Sequence, residues 1–482
     1  MRATSDWLTA HARFRPDAEA IYDVATGRRW SYAALQHEAR CWAGRLVAEG
    51  VGRGDVVAVL AHNRAETFAL LFACAELGAV LFPMNWRLAP AELAWQRAHA
   101  AAKLLITDAA FAETLAGPRL DLDAGPAAAP ITGPGAPLDA PWVLMYTSGS
   151  SGKPKGALLT HGQLHWNAVN TTLACDLRPD DTTLTFTPLF HTGGLNCLST
   201  PLLHRGGRIV LTRGVDAGQA LRLVADEKIT LLMGVPTIYQ LLADHPAFAG
   251  ADLHTVRDAL CGGQALQRAL LERWRARGVP LRQGFGLTEV GPNCFSMPHD
   301  RVFDKLGSVG LPIHHVAMRL VGPDGADAAP GEPGELWLAG PVVCGGYLGD
   351  PTAAAFVDGW FRTGDVLRCD NDGFYYVAGR LKEMYKSGGE NVYPAEVETV
   401  IAAFPGVANV AVVGVPDPKW GEVGYAFVEP QPGVFVDADA LRVFLDGKLA
   451  RFKLPKATFV LAELPRTASG KLDKQALAAR GA

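Results

Sequence analysis

A chain of 482 residues exceeds what one hydrophobic core usually supports, so two or more domains are expected. Hydrophobic residues at 49% and charged residues at 20% match an ordinary globular protein and exclude a mostly disordered chain. With 45 basic against 49 acidic side chains, a formal net charge of -4, no overall positive field exists to hold nucleic acid.

The N-terminus, Met1 to Leu8, has no apolar run of signal-peptide length. From Ser31 to Glu49, apolar residues at Leu35, Ala39, Trp42 and Leu46 repeat at helical spacing, with Ser31 placed to cap the helix. Asp55 to Leu60 reads as a buried strand, Ala65 to Leu77 as a helix, and Ala79 to Phe82 as strand again. The most apolar stretch, Ala69 to Phe82, is too short to span a bilayer and contains Glu76. Ala124 to Pro141, rich in Ala, Gly and Pro, reads as an exposed connection into the strand Trp142 to Met145. Further units follow at Ile209 to Leu211, Ala220 to Lys228 and Leu231 to Gly234. Recurring strand, helix and strand predict an α/β architecture with mostly parallel sheets.

After Pro312 the chain changes to short strands, Val316 to Val321 and Glu335 to Ala339, between turns at Gly322 to Gly325 and Pro330 to Gly334. Beyond about Arg380 a smaller α+β unit is expected. It has a helix from Pro394 to Ala403, strands at Val407 to Val415 and Tyr425 to Val428, and a helix from Ala438 to Leu449. The boundary is placed between Gly379 and Glu383. The 8 cysteines include no C-x-x-C pair, which suits a reducing, cytoplasmic setting, and the 13 histidines show no metal-ligand spacing.

One segment carries clear chemistry. Thr147, Ser148, Gly149, Ser150, Ser151, Gly152, Lys153, Pro154, Lys155 and Gly156 supply hydroxyls, ammonium groups and glycines directly after an apolar strand. Glycines let backbone N–H groups turn toward an anion, and hydroxyls and lysines add donors for phosphate oxygens. The loop is not a Walker A motif, because Pro154 sits where the hydroxyl would be. Taken alone, these residues mark either an anion-binding loop or a plain glycine-rich turn.

The segment resembles the phosphate-loop signature of the adenylate-forming (AMP-binding) superfamily, in its acyl-CoA synthetase branch, with two serines where threonines are usual. Further matches follow in the family's order across nearly the whole chain. They are Pro188 to His191, Gly262-Gly263, Gly284 to Glu289, Gly345-Gly346-Tyr347, Trp360 to Asp365, Gly379 to Glu383, Ser387 to Asn391 and Pro465 to Lys471. The resemblance implies a large N-terminal domain, residues 1–379, of mostly parallel sheets with flanking helices and a small β-barrel-like part. A small mobile α+β domain, residues 380–482, would follow, hinged near Lys382.

By the same resemblance the enzyme uses ATP, Mg2+ and CoA. Glu289 would ligate magnesium, Thr288 the α-phosphate, and the glycine-rich loop the other phosphates. Gly262, Gly263 and Gln264 would lie against adenine, with Gly284, Phe285, Gly286 and Leu287 completing the nucleotide site. Asp365 and Arg380 would hold the ribose. Lys471 would bridge the substrate carboxylate and the α-phosphate. After adenylation the small domain would turn about Lys382 and present Ser387, Gly388, Gly389 and Glu390 beside a pantetheine tunnel. His191 would form a movable wall of the acid pocket, lined from His191 to Asn196, Met233 to Leu241 and Glu289 to Cys294. These stretches hold no arginine or lysine, which disfavours a dicarboxylate and favours a fatty or aryl acid. An amine in place of CoA is the alternative acceptor, and the sequence leaves a homodimer open.

Overall fold

The computed structural model describes residues 7–147, 154–263, 266–350, 354–388, 390–467 and 472–481. The chain forms two compact units. The first takes in residues up to 306 with 310–317 and 338–361; the second takes in 307–309, 318–337 and 362–482.

The first unit is built on two sheets. In the six-stranded sheet the order is Leu120–Asp121, Leu104–Thr107, Val56–Leu60, Val80–Pro83, Pro141–Thr147 and Lys155–Thr160. All neighbours run parallel except the last pair, a hairpin. Every residue of Val56–Leu60 is buried, as expected of a parallel strand covered on both faces. The helix Tyr32–Ala48 is capped as anticipated, with Ser31 accepting from the Ala34 amide. The helix Ala65–Leu77 ends on Gly78, whose left-handed φ of 68° permits the turn into the next strand.

The Ala124 to Pro141 connection is more than an exposed loop. It is strapped across both helices. The Ile131 amide donates to the Arg40 carbonyl (3.1 Å), the Gly133 amide to Glu76 Oε2 (3.0 Å) and the Gly135 amide to the Glu76 carbonyl (2.9 Å). A Cβ on Gly133 would sit 2.0 Å from the Glu76 carbonyl oxygen, so glycine is obligatory at that crossing. Glu76 thus anchors the strap. Among the described residues no helix is long and apolar enough to cross a membrane.

The seven-stranded sheet has the order Leu281–Gln283, Asp258–Cys261, Leu231–Gly234, Thr182–Thr185, Arg208–Leu211, Glu19–Asp23 and Arg28–Ser31. Only the final hairpin is antiparallel.

In the second unit Val407–Asp417 and Gly421–Pro430 form a long antiparallel pair, joined by Tyr385–Ser387, Glu390–Val392 and, in parallel, Ala457–Val460. The strand expected at Tyr425 to Val428 starts four residues earlier. Gly421 and Gly424 concealed it, because glycine carries no strand signal. Gly414 and Gly424 face each other in register, and a Cβ on either would meet the buried Tyr385 side chain at 2.5 or 2.2 Å. The helix Ala438–Leu445 stops short of Leu449 at Asp446 and Gly447, the latter with φ of 72°. The α/β class read from the sequence is the class observed.

Candidate active site

In open parallel sheets ligands bind beyond the carboxyl ends of the strands. At that edge of the seven-stranded sheet Gly234, Gly262 and Gly284 lie side by side. The Gly262 amide donates to the Gly234 carbonyl (3.2 Å) and the Gly284 amide to the Cys261 carbonyl (2.8 Å). Neither Gly262 nor Gly284 has a left-handed φ, and a Cβ on either would find its nearest atom 3.9 or 4.0 Å away. Backbone and packing therefore leave both positions open to a side chain. The space they keep clear is room in which a flat ligand could lie. Gly263, with φ of 87°, makes the turn, and Gln264 lies outside the described residues.

The following turn folds back on itself. The Leu287 amide donates to the Gly291 carbonyl (3.0 Å) and the Cys294 amide to the Phe285 carbonyl (2.8 Å). A Cβ on Gly286 would sit 2.2 Å from Pro292, so only glycine fits. The turn presents Thr288–Val290 as a short 3-10 segment, whose Thr288 carbonyl accepts from Gln163 Nε2 (3.2 Å).

Glu289 is 8% exposed, and its Oε1 accepts two hydroxyl donors, from Tyr347 (2.8 Å) and Thr147 (3.3 Å). Its carbonyl accepts from the Cys344 amide (2.7 Å). Thr147 and Lys155 are paired across the hairpin, and the Thr147 hydroxyl ties that end of the hairpin to Glu289. The return strand is stitched to the Gly345-Gly346-Tyr347 segment. Leu158 donates to the Gly346 carbonyl (2.9 Å), Gly345 to the Leu158 carbonyl (2.9 Å) and Leu348 to the Gly156 carbonyl (2.7 Å). Lys155 Nζ stands 4.9 Å from the centre of the Tyr347 ring. Three separate sequence motifs thus meet on one carboxylate. Burial and the Glu289 charge push the Tyr347 hydroxyl above its usual range, keeping it a donor.

Among the described residues no cluster of three or more His, Cys, Asp or Glu side chains could hold a metal. Glu289 Oε2 takes no hydrogen bond from those residues. One hard carboxylate oxygen on a side chain already fixed by the Tyr347 and Thr147 hydroxyls fits Mg2+, which keeps waters and phosphate oxygens for most of its shell.

In the second unit the strand pair Trp360–Cys369 and Tyr375–Arg380 places Asp365 opposite Arg380, whose Nε lies 2.8 Å from Asp365 Oδ1. Gly364, with φ of 70°, makes the bend before Asp365, and its amide donates to Glu335 Oε1 (3.2 Å). Lys382 lies in the 3-10 turn Leu381–Glu383. Ser387 is 5% exposed and pairs with Glu390, while Gly388, with φ of 60°, donates to the Trp420 carbonyl (2.8 Å). A Cβ on Gly388 would touch the Trp420 ring at 3.1 Å.

A cavity of about 30 Å³, lined by Cys197, Met233, Cys261, Gly262, Gly284 and Asn293 among others, shares Met233, Pro292 and Asn293 with the stretches expected to line the acid pocket. That volume is on the order of a water molecule, far less than an organic acid occupies. Gly193 and Gly194 do not both supply space. A Cβ on Gly194 would sit 2.1 Å from the Pro188 carbonyl oxygen, so its room is already filled by backbone; Gly193 faces the Met233 methyl at 3.0 Å. His191 caps the short turn Thr192–Gly194, with its ring 4.6 Å from that of Phe190, and does not line the cavity. Leu195–Ser199 is a π-helical turn, a geometry frequent at functional sites. Burial pushes the Cys175 thiol up to about 11 and raises those of Cys197 and Cys261. All three stay neutral and so do not act as thiolate nucleophiles toward an activated acyl group.

Ser148, Gly149, Ser150, Ser151, Gly152, Lys153, Gly389 and Lys471 lie outside the described residues. Sequence reasoning gave no role to Tyr347, Gln163 or Trp420. Tyr347 stands in a quoted Gly-Gly-Tyr match, which was its only signal; the other two had none.

The AMP-binding enzyme family model matches residues 8–348, and that of the AMP-binding enzyme C-terminal domain matches residues 396–471. A feruloyl-CoA synthase from an Amycolatopsis species is 43% identical over 97% of both chains. An indoleacetate–CoA ligase of Aromatoleum aromaticum is 41% identical over 98% of this chain and 96% of its own. The solved o-succinylbenzoate CoA synthetase of Bacillus subtilis, in complex with its acyl-adenylate intermediate, is 32% identical. It superposes with a TM-score of 0.89 over 99% of this chain and 98% of that one. The chain belongs to the AMP-binding enzyme family, as an acid–thiol ligase that uses ATP, Mg2+ and CoA.

Proposed function

We propose that the acid is an aryl carboxylic acid with an apolar body. The supporting observation is the cavity at the sheet edge, walled by Met233, Leu260, Pro292 and Phe295, with its thiols held neutral. The relatives named for feruloyl and indoleacetate substrates, at 43% and 41% identity, favour a ring over a plain fatty chain. Met233 is the side chain best suited to give way, being unbranched and adaptable. Arg282 also borders the cavity, but its charge is taken by Asp258 and does not call for a second substrate carboxylate.

In the first step a carboxylate oxygen attacks the α-phosphorus of ATP, the bond to the β-phosphate bridging oxygen breaks, and pyrophosphate leaves. In the second, the CoA sulfur attacks the acyl carbonyl, its proton is lost, and AMP leaves with the former carboxylate oxygen. Adenylation turns a poor leaving group into a stabilised anion. Magnesium, when bound, offsets charge on the polyphosphate.

We assign Glu289 to the metal, Thr288 and the Thr147 to Lys155 loop to phosphates, and Gly262, Gly263, Gln264 and Gly284 to the adenine face. Asp365 and Arg380 are assigned to ribose, His191 to a movable wall near the acid pocket but outside the lining of the cavity, and Lys471 to the carboxylate and α-phosphate. The working division is residues 1–379 and 380–482, turning at Lys382 so that Ser387 to Glu390 serve the thiol step. A cytoplasmic setting goes with this reading, supported by 8 free cysteines, all but Cys369 buried.

AMP release measured with a panel of hydroxycinnamic, arylacetic, benzoic and straight-chain acids, with and without CoA, tests the proposal. CoA-dependent release with the aryl members is expected. Turnover confined to straight-chain acids would overturn it.

A further inference from the structure

Tyr347 belongs to the strand-like segment that zips onto the return strand of the phosphate hairpin, bridged to Ala157 across an antiparallel contact. Its side chain is 7% exposed, and two neighbours fix its ring: Phe356 at 5.8 Å, edge-on, and the Lys155 ammonium at 4.9 Å. A phenylalanine would keep both contacts. What only tyrosine adds is the hydroxyl, which donates to Glu289 Oε1 at 2.8 Å.

The bond matters because of how a glutamate moves. The terminal torsion that swings its two oxygens is broad and nearly two-fold, so an unrestrained carboxylate offers either oxygen in many orientations. Here two hydroxyls, from Tyr347 and Thr147, converge on the same oxygen. That arrangement occupies Oε1 and leaves Oε2 with no donor among the described residues. The peptide of Glu289 is held as well, through the Cys344 amide at 2.7 Å, so side chain and main chain are clamped by one segment, residues 344–347.

We infer that Tyr347 is a positioning residue for the magnesium step: it orients the Glu289 carboxylate so that one oxygen is presented to the cation. The inference rests on the assignment of Glu289 as metal ligand. Groups that orient a ligating side chain typically change metal affinity about 10–100-fold when removed. The hydroxyl of Thr147, at 3.3 Å, makes the longer and weaker of the two contacts.

The test uses the full chain, Mn2+ as a spectroscopic stand-in for Mg2+, and an ATP analogue with a methylene bridge between the α- and β-phosphorus atoms. Electron paramagnetic resonance then counts bound Mn2+ without turnover. In Tyr347→Phe the Mn2+ affinity of the protein–analogue complex is expected to fall about 10–100-fold. The Mg2+ concentration needed for half-maximal rate should rise in parallel, and kcat at saturating Mg2+ should recover to within a few-fold. Glu289→Gln should lose the affinity outright, and adding Tyr347→Phe to it should cost nothing more.

If Glu289→Gln loses Mn2+ while Tyr347→Phe stays within twofold of the parent, the positioning role is refuted and the ligand assignment stands. If neither variant changes Mn2+ binding, the ligand assignment fails and the inference falls with it. An additional loss from Tyr347→Phe in the Glu289→Gln background would mean that the tyrosine acts elsewhere. Should Tyr347→Phe fold poorly, Thr147→Val removes the other donor to the same oxygen. A smaller loss of Mn2+ affinity there supports the clamp, and an unchanged affinity overturns it.

Discussion

Arg282 should be replaceable only at a heavy cost to the wall shared by the sheet edge and the cavity. Its side chain is 4% exposed and that of Asp258 2%, with Arg282 Nε 2.8 Å from Asp258 Oδ1 and a second nitrogen on Oδ2. The guanidinium also donates to Ser296 Oγ (2.6 Å) and to the Met297 carbonyl (3.2 Å). Arg282→Met removes every one of these donors and leaves a buried carboxylate without its cation. Breaking a buried pair from one side costs about 3–5 kcal/mol. His299 Nε2, 3.1 Å from Asp258 Oδ1 but 48% exposed, still helps the stranded carboxylate and favours the lower end, about 3 kcal/mol. The double variant Arg282→Met/Asp258→Leu should be less damaged than Arg282→Met alone, because no charge is left unpaired. Amide hydrogen exchange of Asp258–Cys261 and Leu281–Gln283 is the suitable readout, since a chain of two units need not melt in one transition. A loss of protection below about 1 kcal/mol in Arg282→Met, or a double variant worse than the single, would refute the reasoning.

Gly262→Ala should leave thermal stability unchanged or slightly raised, because the new methyl meets no atom within 3.9 Å. It should still raise KM for ATP by about 5- to 150-fold, the equivalent of about 1–3 kcal/mol of overpacking against the base. Unchanged KM would remove Gly262 from the adenine face. Burial pushes His161 and His204 down to about 4, and both ring nitrogens of His161 lack a partner among the described residues. Both histidines fold neutral, whereas unfolded histidine titrates near about 6.5. Their contribution is therefore complete above that pH and is lost as pH falls toward 4, at about 1.4 kcal/mol per pH unit for each. In His161→Phe the slope of stability against pH over that window should flatten by one proton, and an unaltered slope would contradict the assignment. Lys471→Ala should abolish acyl-adenylate formation but spare thioester formation from supplied acyl adenylate. Lys382→Pro, by fixing φ, should impair thioester formation more than pyrophosphate exchange. Equal loss of both half-reactions in either variant would refute its assigned role.

The sequence was most legible where one residue type has one physical use. Ser31 as a cap, the apolar run at Val56–Leu60 and the motif glycines were all readable in isolation. It was least legible where meaning depends on a distant partner. Nothing local in Glu76 says that it anchors a strap 57 residues later, through the Gly133 amide. Nothing local in Tyr347 says that its hydroxyl ends on Glu289, 58 positions earlier in the chain. Gly194 shows the same limit: a glycine looks like space in the sequence until the Pro188 carbonyl is seen to occupy it. Strand ends were lost where glycine replaced the β-forming residues that advertise them, as at Gly421 and Gly424.

The edge that carries Gly262 and Gly284 also has Cys261 and Gln283 directly beside them, and all four border the cavity assigned to the acid. Two substrates would then be separated by little more than the thickness of a peptide group. Redesign of acid choice at position 261 or 283 would shift the very backbone proposed to carry the base. Selectivity changes made there should carry a penalty in nucleotide affinity, whereas those made at Met233, one strand over, should be nearly independent of it.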